Sequence, residues 1–108
     1  MTKKLALLAF VLFIFALTPA LTLGQDGAAN FKAKCAMCHG PDGSGKTAMG
    51  AKFNIRDLRS AEVQKQTDAE LVEIVTKGKN KMPPYDGKLT KEQIGQLVAY
   101  VRELGKTK

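Results

Sequence analysis

The chain has 108 residues, enough for a single domain, with a formal net charge of +7 and only two cysteines. Cys35 and Cys38 stand three positions apart, which excludes a disulfide framework that joins distant segments. The positive charge either steers acidic partners towards the surface or simply keeps the protein in solution.

Residues 1–24 have the pattern of a secretory signal peptide. Lys3 and Lys4 precede an unbroken run of 13 apolar residues from Leu5 to Leu17, and small residues follow. Cleavage after Ala20 or after Gly24 fits this pattern. The alternative is an uncleaved anchor, although polar residues and a proline interrupt the segment before it reaches the length of about 20 apolar residues that a spanning helix needs.

The remaining segment, residues 25–108, predicts an all-α domain of three to five short helices with long loops. Apolar residues recur at helical spacing, Thr67 and Thr90 each begin a capping-box pattern, and no segment alternates as a strand does. Loops this long in so small a domain indicate a bound group at its centre. The predicted elements are a helix over Gly27–Lys34, an irregular loop over Pro41–Asn54, a helical turn over Ser60–Lys65, a helix from Thr67 to Gly78, an irregular segment over Asn80–Lys88, and a last helix after Thr90.

One motif carries the chemistry: Cys35-Ala36-Met37-Cys38-His39 is the C-x-x-C-H pattern of covalent haem attachment. Two thiols on one helical turn can each form a thioether with a vinyl group of the same porphyrin, and the next residue then points its imidazole at the iron. The two alternatives for the cysteine pair are a redox dithiol and a zinc site. A redox dithiol needs a βαβ context that the sequence lacks, and a zinc site needs four ligands where this motif supplies three.

The sixth position of the iron has several candidates, namely methionine, lysine, water or no ligand, because His39 is the only histidine. Met37 lies between the two thioethers and cannot reach the opposite face of the porphyrin. Met49 stands in a glycine-flanked loop, where packing is the expected role. Met82 follows His39 by 43 residues and precedes Pro83 and Pro84, which stiffen the loop. The sequence therefore predicts His39 and Met82 as the iron ligands.

With these residues, the sequence resembles the class I cytochromes c, particularly the short soluble bacterial and photosynthetic types. The resemblance extends from Gly27 to Leu104 and rests on Cys35 to Gly40 and on Lys81 to Tyr85. It also rests on four residues where the first and last helices of the family cross, namely Gly27, Phe31, Leu97 and Tyr100. It implies a small cytochrome c fold wrapped around one haem c. It further implies that the Pro41 carbonyl accepts a hydrogen bond from the His39 ring, and that Asn54, Arg56 and Leu58 surround the haem propionates. A tryptophan that some relatives keep near the propionates is missing.

The predicted ligands and the resemblance imply a monomeric one-electron carrier without catalytic residues. The signal segment predicts export to the periplasm, or to the thylakoid lumen in a phototroph. Expected partners are redox proteins, namely a quinol-oxidising complex, an oxidase, a reductase or a photosystem, with no nucleic acid and membrane contact only through a retained signal segment. We expect lysines around the haem edge to dock acidic partners: Lys46, Lys52, Lys77, Lys79, Lys81 and Lys88. The alternatives are a haem subunit docked permanently on a dehydrogenase, and a peroxidase or gas sensor with a labile Met82.

Overall fold

The computed structural model describes residues 23–107. These residues form six helices and no strand, which confirms the all-α prediction and exceeds the expected three to five helices because two are single turns of four residues. The helices are α1 (Leu23–Lys34), α2 (Ala36–His39), α3 (Ala48–Phe53), α4 (Ala61–Gln64), α5 (Asp68–Lys77) and α6 (Lys91–Gly105). The predicted signal peptide lies outside the described residues except for its last two, which begin α1.

The helix starts follow the local sequence. The Thr90 hydroxyl accepts a hydrogen bond from the backbone N–H of Gln93, and the Gln93 side chain accepts one from the backbone N–H of Thr90, so the predicted capping box forms in full. Thr67 caps α5 by accepting from Glu70. The prediction of an irregular loop over Pro41–Asn54 is wrong for its second half, because Thr47 caps the short helix α3.

The core lies where the first and last helices cross. Phe31 in α1 is 2% exposed, and its ring centroid lies 5.3 Å from that of Tyr100 in α6. Gly27 allows this close crossing, since a β-carbon there would collide with the backbone of Gln96. The buried apolar residues of α6 continue into a second cluster with Val63 and Leu71. α1 and α6 therefore form the helix pair against which the other elements pack.

Arg102 links α6 to the end of α4 and the start of α5. Its guanidinium donates to the carbonyl oxygens of Gln64 and Gln66 and pairs with Asp68 across 2.9 Å. The Gln64 side chain in turn donates to the carbonyl oxygen of Val101. The end of α4 and the start of α5 are thereby held against α6. Within residues 23–107, no helix has the length and apolar character needed to cross a membrane.

Candidate cofactor site

The two cysteines and the histidine lie on one helical turn. Cys35 follows the last residue of α1 and is the N-cap of α2, and the backbone N–H groups of Cys38 and His39 both donate to the Cys35 carbonyl oxygen. Both thiols are free. Burial raises the pKa of the Cys35 thiol to about 11. A redox-active dithiol needs a depressed thiol pKa, so this environment disfavours the dithiol alternative.

His39 is half-buried, and one of its ring nitrogens is buried without a hydrogen-bond partner. Its Nδ1 atom is the one buried side-chain nitrogen or oxygen without a hydrogen-bond partner among residues 23–107. The hydrogen bond to the Pro41 carbonyl that the resemblance implies is therefore not formed. Burial lowers the pKa of the His39 ring, which keeps the imidazole neutral at pH 7, and neutral imidazole is the form that binds a metal.

Met82 is held in a tight loop after α5. The backbone N–H groups of Lys79 and Met82 each donate to the other residue's carbonyl oxygen, at 3.1 and 2.9 Å. Gly78 has a φ of +75°, and a β-carbon there would lie 2.6 Å from the Met82 carbonyl oxygen. Glycine is thus required for the loop to fold back over the end of α5.

Cys35, Cys38, His39 and Met82 all line one cavity of about 300 Å³. The cavity brings together the Cys35–His39 turn and a methionine distant in sequence. Most of its remaining lining is apolar and comes from the end of α3, the segment after it, and α1, α4, α5 and α6. These apolar residues include Phe31, Phe53, Ile55, Leu58, Val63, Leu71, Ile74, Val75, Leu97, Val98 and Val101. Met37 is 79% exposed and does not line this cavity. Met49 lies in α3, outside the cavity.

The charged residues that line the cavity are all basic: Lys34, Arg56, Lys79 and Lys81. Two further predicted lysines lie over aromatic rings of the cavity wall, with Lys52 Nζ 5.5 Å from the centroid of Phe53 and Lys88 Nζ 5.8 Å from that of Tyr85. Lys77 pairs with Glu73 instead, and Lys46 lies outside the lining. The sequence-based prediction of lysines around the haem edge omitted Lys34, although Lys34 directly precedes Cys35.

The residues that the resemblance places around the propionates also line the cavity. Asn54, Arg56 and Leu58 follow α3 and lie together on one wall. Asn54 has a φ of +53° and ends α3. Arg56 is exposed and pairs with Glu62 across 3.3 Å. The neighbouring Leu58 packs against both buried clusters.

Tyr85 is a lining residue that sequence reasoning did not assign. Its hydroxyl donates to the carbonyl oxygen of Lys34, 3.2 Å away. Burial raises the pKa of Tyr85. The hydroxyl therefore keeps its proton at neutral pH and can act as this donor.

No group of three or more His, Cys, Asp or Glu side chains within residues 23–107 is arranged to hold a metal ion by itself. The zinc alternative thus has no site in the described part of the chain. A porphyrin supplies four nitrogen ligands of its own, so a haem iron needs only one or two ligands from the protein.

Comparisons with known proteins agree with this geometry. A family model described as "Cytochrome C oxidase, cbb3-type, subunit III" matches residues 22–101. Cytochrome c6 of Nostoc sp. (strain PCC 7120) is 41% identical over 108 residues, which cover 95% of this chain and 90% of that protein. The cbb3-type cytochrome c oxidase subunit CcoP of Rubrivivax gelatinosus is 40% identical over 84 residues, but these are 26% of that protein.

Among solved structures, the KustC0563 c-type cytochrome superposes with a TM-score of 0.68 and is 34% identical, covering 73% of this chain and 96% of that one. The helical fold and the attachment turn define the class as the small c-type cytochromes. The chain belongs to the family described as "Cytochrome C oxidase, cbb3-type, subunit III", whose model matches residues 22–101. Among the class I cytochromes it is similar to cytochrome c6. It is therefore a single-haem electron-transfer protein, as its resemblance implied.

The described residues fit the haem c that such a protein carries. Two free thiols stand on one turn, the adjacent imidazole has a buried nitrogen without a partner, and the cavity that they line is largely apolar. A thiol pair at this spacing and a neutral imidazole are the donor set that covalent haem attachment requires.

Proposed function

We propose that Cys35 and Cys38 form the two thioethers, that His39 and Met82 ligate the iron, and that the protein carries single electrons between redox partners outside the cytoplasm. Residues 1–24 are the export signal in this proposal, and residues 25–108 form the cytochrome domain. The observation that supports it is the shared cavity, because Met82, in the loop after α5, lines the same cavity as Cys35, Cys38 and His39.

The haem, its two proposed protein ligands and the apolar cavity walls have different roles in electron transfer. When bound, the haem supplies an iron that alternates between the ferric and ferrous states. The neutral His39 ring donates a nitrogen, and the soft thioether of Met82 favours the ferrous state and raises the reduction potential. The apolar walls exclude water, which keeps charge rearrangement during electron transfer small.

The site's charges favour a particular class of partner. Lys34, Lys79 and Lys81 line the cavity and are exposed, and no carboxylate lines it. Such a field attracts an acidic surface and orients the encounter so that the cavity faces the partner. The candidate partners are a quinol-oxidising complex as donor and an oxidase, reductase or photosystem as acceptor, in the periplasm or the thylakoid lumen.

The ligand assignment is tested with Met82→Ala in the matured holoprotein. The weak far-red band of the oxidised protein, which arises from sulfur-to-iron charge transfer, should disappear, and the reduction potential should fall. Met49→Ala is the matched control, since Met49 lies outside the cavity. An unchanged far-red band in Met82→Ala means that another group is the sixth ligand.

Docking is tested by the electron-transfer rate with an acidic partner as ionic strength increases. The rate of the wild type should fall steeply with salt, because exposed charges are screened over about 10 Å at 0.1 M. Reversing a charge of the cavity lining with Lys79→Glu should slow the reaction at low salt, whereas Lys91→Glu at the start of α6 should change it little. A salt-independent rate contradicts the docking proposal.

A second candidate is a subunit that stays docked in a larger complex. The match to CcoP supports it, because a segment resembling this chain is part of that oxidase subunit. Sedimentation of the native protein separates the two candidates: a carrier runs at the mass of one matured chain with its haem, and a docked subunit runs with its partner.

A further inference from the structure

Tyr85 contacts two elements that lie on different sides of the cavity. Its hydroxyl donates to the carbonyl oxygen of Lys34 at the end of α1, and its backbone N–H donates to the carbonyl oxygen of Val75 in α5. Lys34 directly precedes Cys35. The tyrosine thus connects the segment after Met82 to the residue before the first cysteine.

Apart from this contact, the hydrogen bonds that join the Met82 loop to a helix all go to α5. Lys79 and Met82 exchange backbone hydrogen bonds within the loop, and Tyr85 and Asp86 donate to carbonyl oxygens of Val75 and Thr76. Among the hydrogen bonds of residues 23–107, the Tyr85 hydroxyl makes the one that joins residues 78–89 to the first two helices. The spacing between the loop and the cysteine turn therefore depends on this contact and on apolar packing.

We propose that Tyr85 is a positioning residue for the sixth ligand: its hydroxyl holds the Met82 loop at a fixed distance from the cysteine turn. This inference rests on the proposed ligation by Met82. Pro83 and Pro84 lie between Met82 and Tyr85, and their fixed φ angles make the connection stiff. A shift at Tyr85 is consequently transmitted to Met82 rather than absorbed between them.

The expected consequence concerns ligand exchange at the iron. A protein whose loop is anchored spends little time with the sixth position open, and an external ligand must compete with that population. Removing the anchor raises the open fraction. The contact lies at an exposed position, so its net contribution is at the low end for a hydrogen bond, which corresponds to a change in apparent affinity of about two- to fivefold.

The test is a titration of the ferric holoprotein with imidazole, followed by the loss of the far-red band. Tyr85→Phe keeps the ring and removes the hydroxyl, and it should bind imidazole about two- to fivefold more tightly than the wild type. Its reduction potential should also fall. Tyr100→Phe is the matched control, because Tyr100 packs on Phe31 at the helix crossing, and its imidazole affinity should equal that of the wild type.

Three outcomes contradict the inference, and they are distinguishable. If the wild type lacks the far-red band, the ligation by Met82 fails, and this inference fails with it. If the wild type has the band and Tyr85→Phe binds imidazole as the wild type does, only the positioning role is wrong. If Tyr85→Phe and Tyr100→Phe tighten imidazole binding equally, the effect is one of general stability. Chemical denaturation of each variant provides the stability comparison.

Discussion

A β-carbon on Gly27 in α1 would collide with the carbonyl oxygen of Gln96 in α6. Atoms do not approach this closely without moving, so the two helices cross at a separation that only glycine permits. The crossing brings Phe31 against Tyr100 and completes the larger buried cluster. The core of the domain thus depends on the absence of a single methyl group.

Gly27→Ala should therefore destabilise the protein by about 1–3 kcal/mol, the usual cost of overpacking a well-packed contact. Gly95→Ala is the matched control: it lies in α6 with no neighbouring atom within 4 Å of a β-carbon. Alanine has the higher helix propensity, so this control should stabilise the protein by up to about 1 kcal/mol. Denaturant unfolding of the two variants measures both effects, and equal changes would contradict the close crossing.

Gly78→Ala should disturb the Met82 loop specifically. A β-carbon at this position would meet the carbonyl oxygen of Met82 and the nitrogen of Pro84, and the φ of +75° adds strain for any L-residue. The far-red band should weaken and the potential should fall. Gly87→Ala shares the positive φ, at +80°, but has open space around it. It should cost about 1 kcal/mol of stability from backbone strain alone, with the band intact.

Arg102→Leu should loosen the wall of the cavity formed by α4 and α5. The substitution removes the donors to the Gln64 and Gln66 carbonyl oxygens and the pair with Asp68. Loss of partners for these part-buried groups should lower the free energy of unfolding by about 1–3 kcal/mol. Lys106→Leu breaks an exposed pair with Glu103 and should cost less than about 1 kcal/mol. Similar costs for both variants would rule out the bridging role of Arg102.

Cys38→Ala should leave one thioether, at Cys35, and lower the stability and the yield of the matured protein. Mass spectrometry of the denatured protein should still detect the attached haem. Met37→Ala is the control within the same turn, because its side chain is exposed and lies outside the cavity lining; its yield should match that of the wild type. If the denatured Cys38→Ala polypeptide has the mass of the chain without haem, Cys35 does not form a thioether.

Asp42 should contribute to stability only above strongly acidic pH. Hydrogen bonds from Ser44, together with the nearby Arg59 guanidinium, lower the pKa of this carboxyl below 3.8. The folded state therefore binds the proton less readily than the unfolded state, and the contribution is complete above the ordinary pKa and is lost as pH falls through the folded value. The stability difference between wild type and Asp42→Asn should shrink as pH is lowered through this range. A stability difference that does not change with pH contradicts the lowered pKa of Asp42.

The local features of this protein could be predicted from its sequence because they depend on neighbouring residues. The threonine caps of α5 and α6 and the Cys35–His39 turn form where the sequence patterns place them. The brief helix α3 was missed because its glycine-rich surroundings favour a loop, although Thr47 and Asn54 provide a cap at each end.

Contacts between distant residues could not be predicted in this way. Tyr85 and Lys34 are 51 positions apart, and Arg102 contacts Gln64 across 38 positions. No periodicity marks such pairs, because each depends on how α6 and the loop after α5 lie relative to the rest of the chain. The resemblance to class I cytochromes indicated the shared fold but not these two contacts.

The ring of Phe31 lies against Tyr100 on one side and, with centroids 6.3 Å apart, near His39 on the other. Helix α6 is consequently as much a part of the cavity proposed to hold the haem as the Cys35–His39 turn itself. A truncated polypeptide ending before residue 91 would retain every proposed ligand, yet it would lack the wall formed by Leu97, Val98 and Val101. The shortest fragment able to shield a haem from water must therefore extend almost to the natural end of α6.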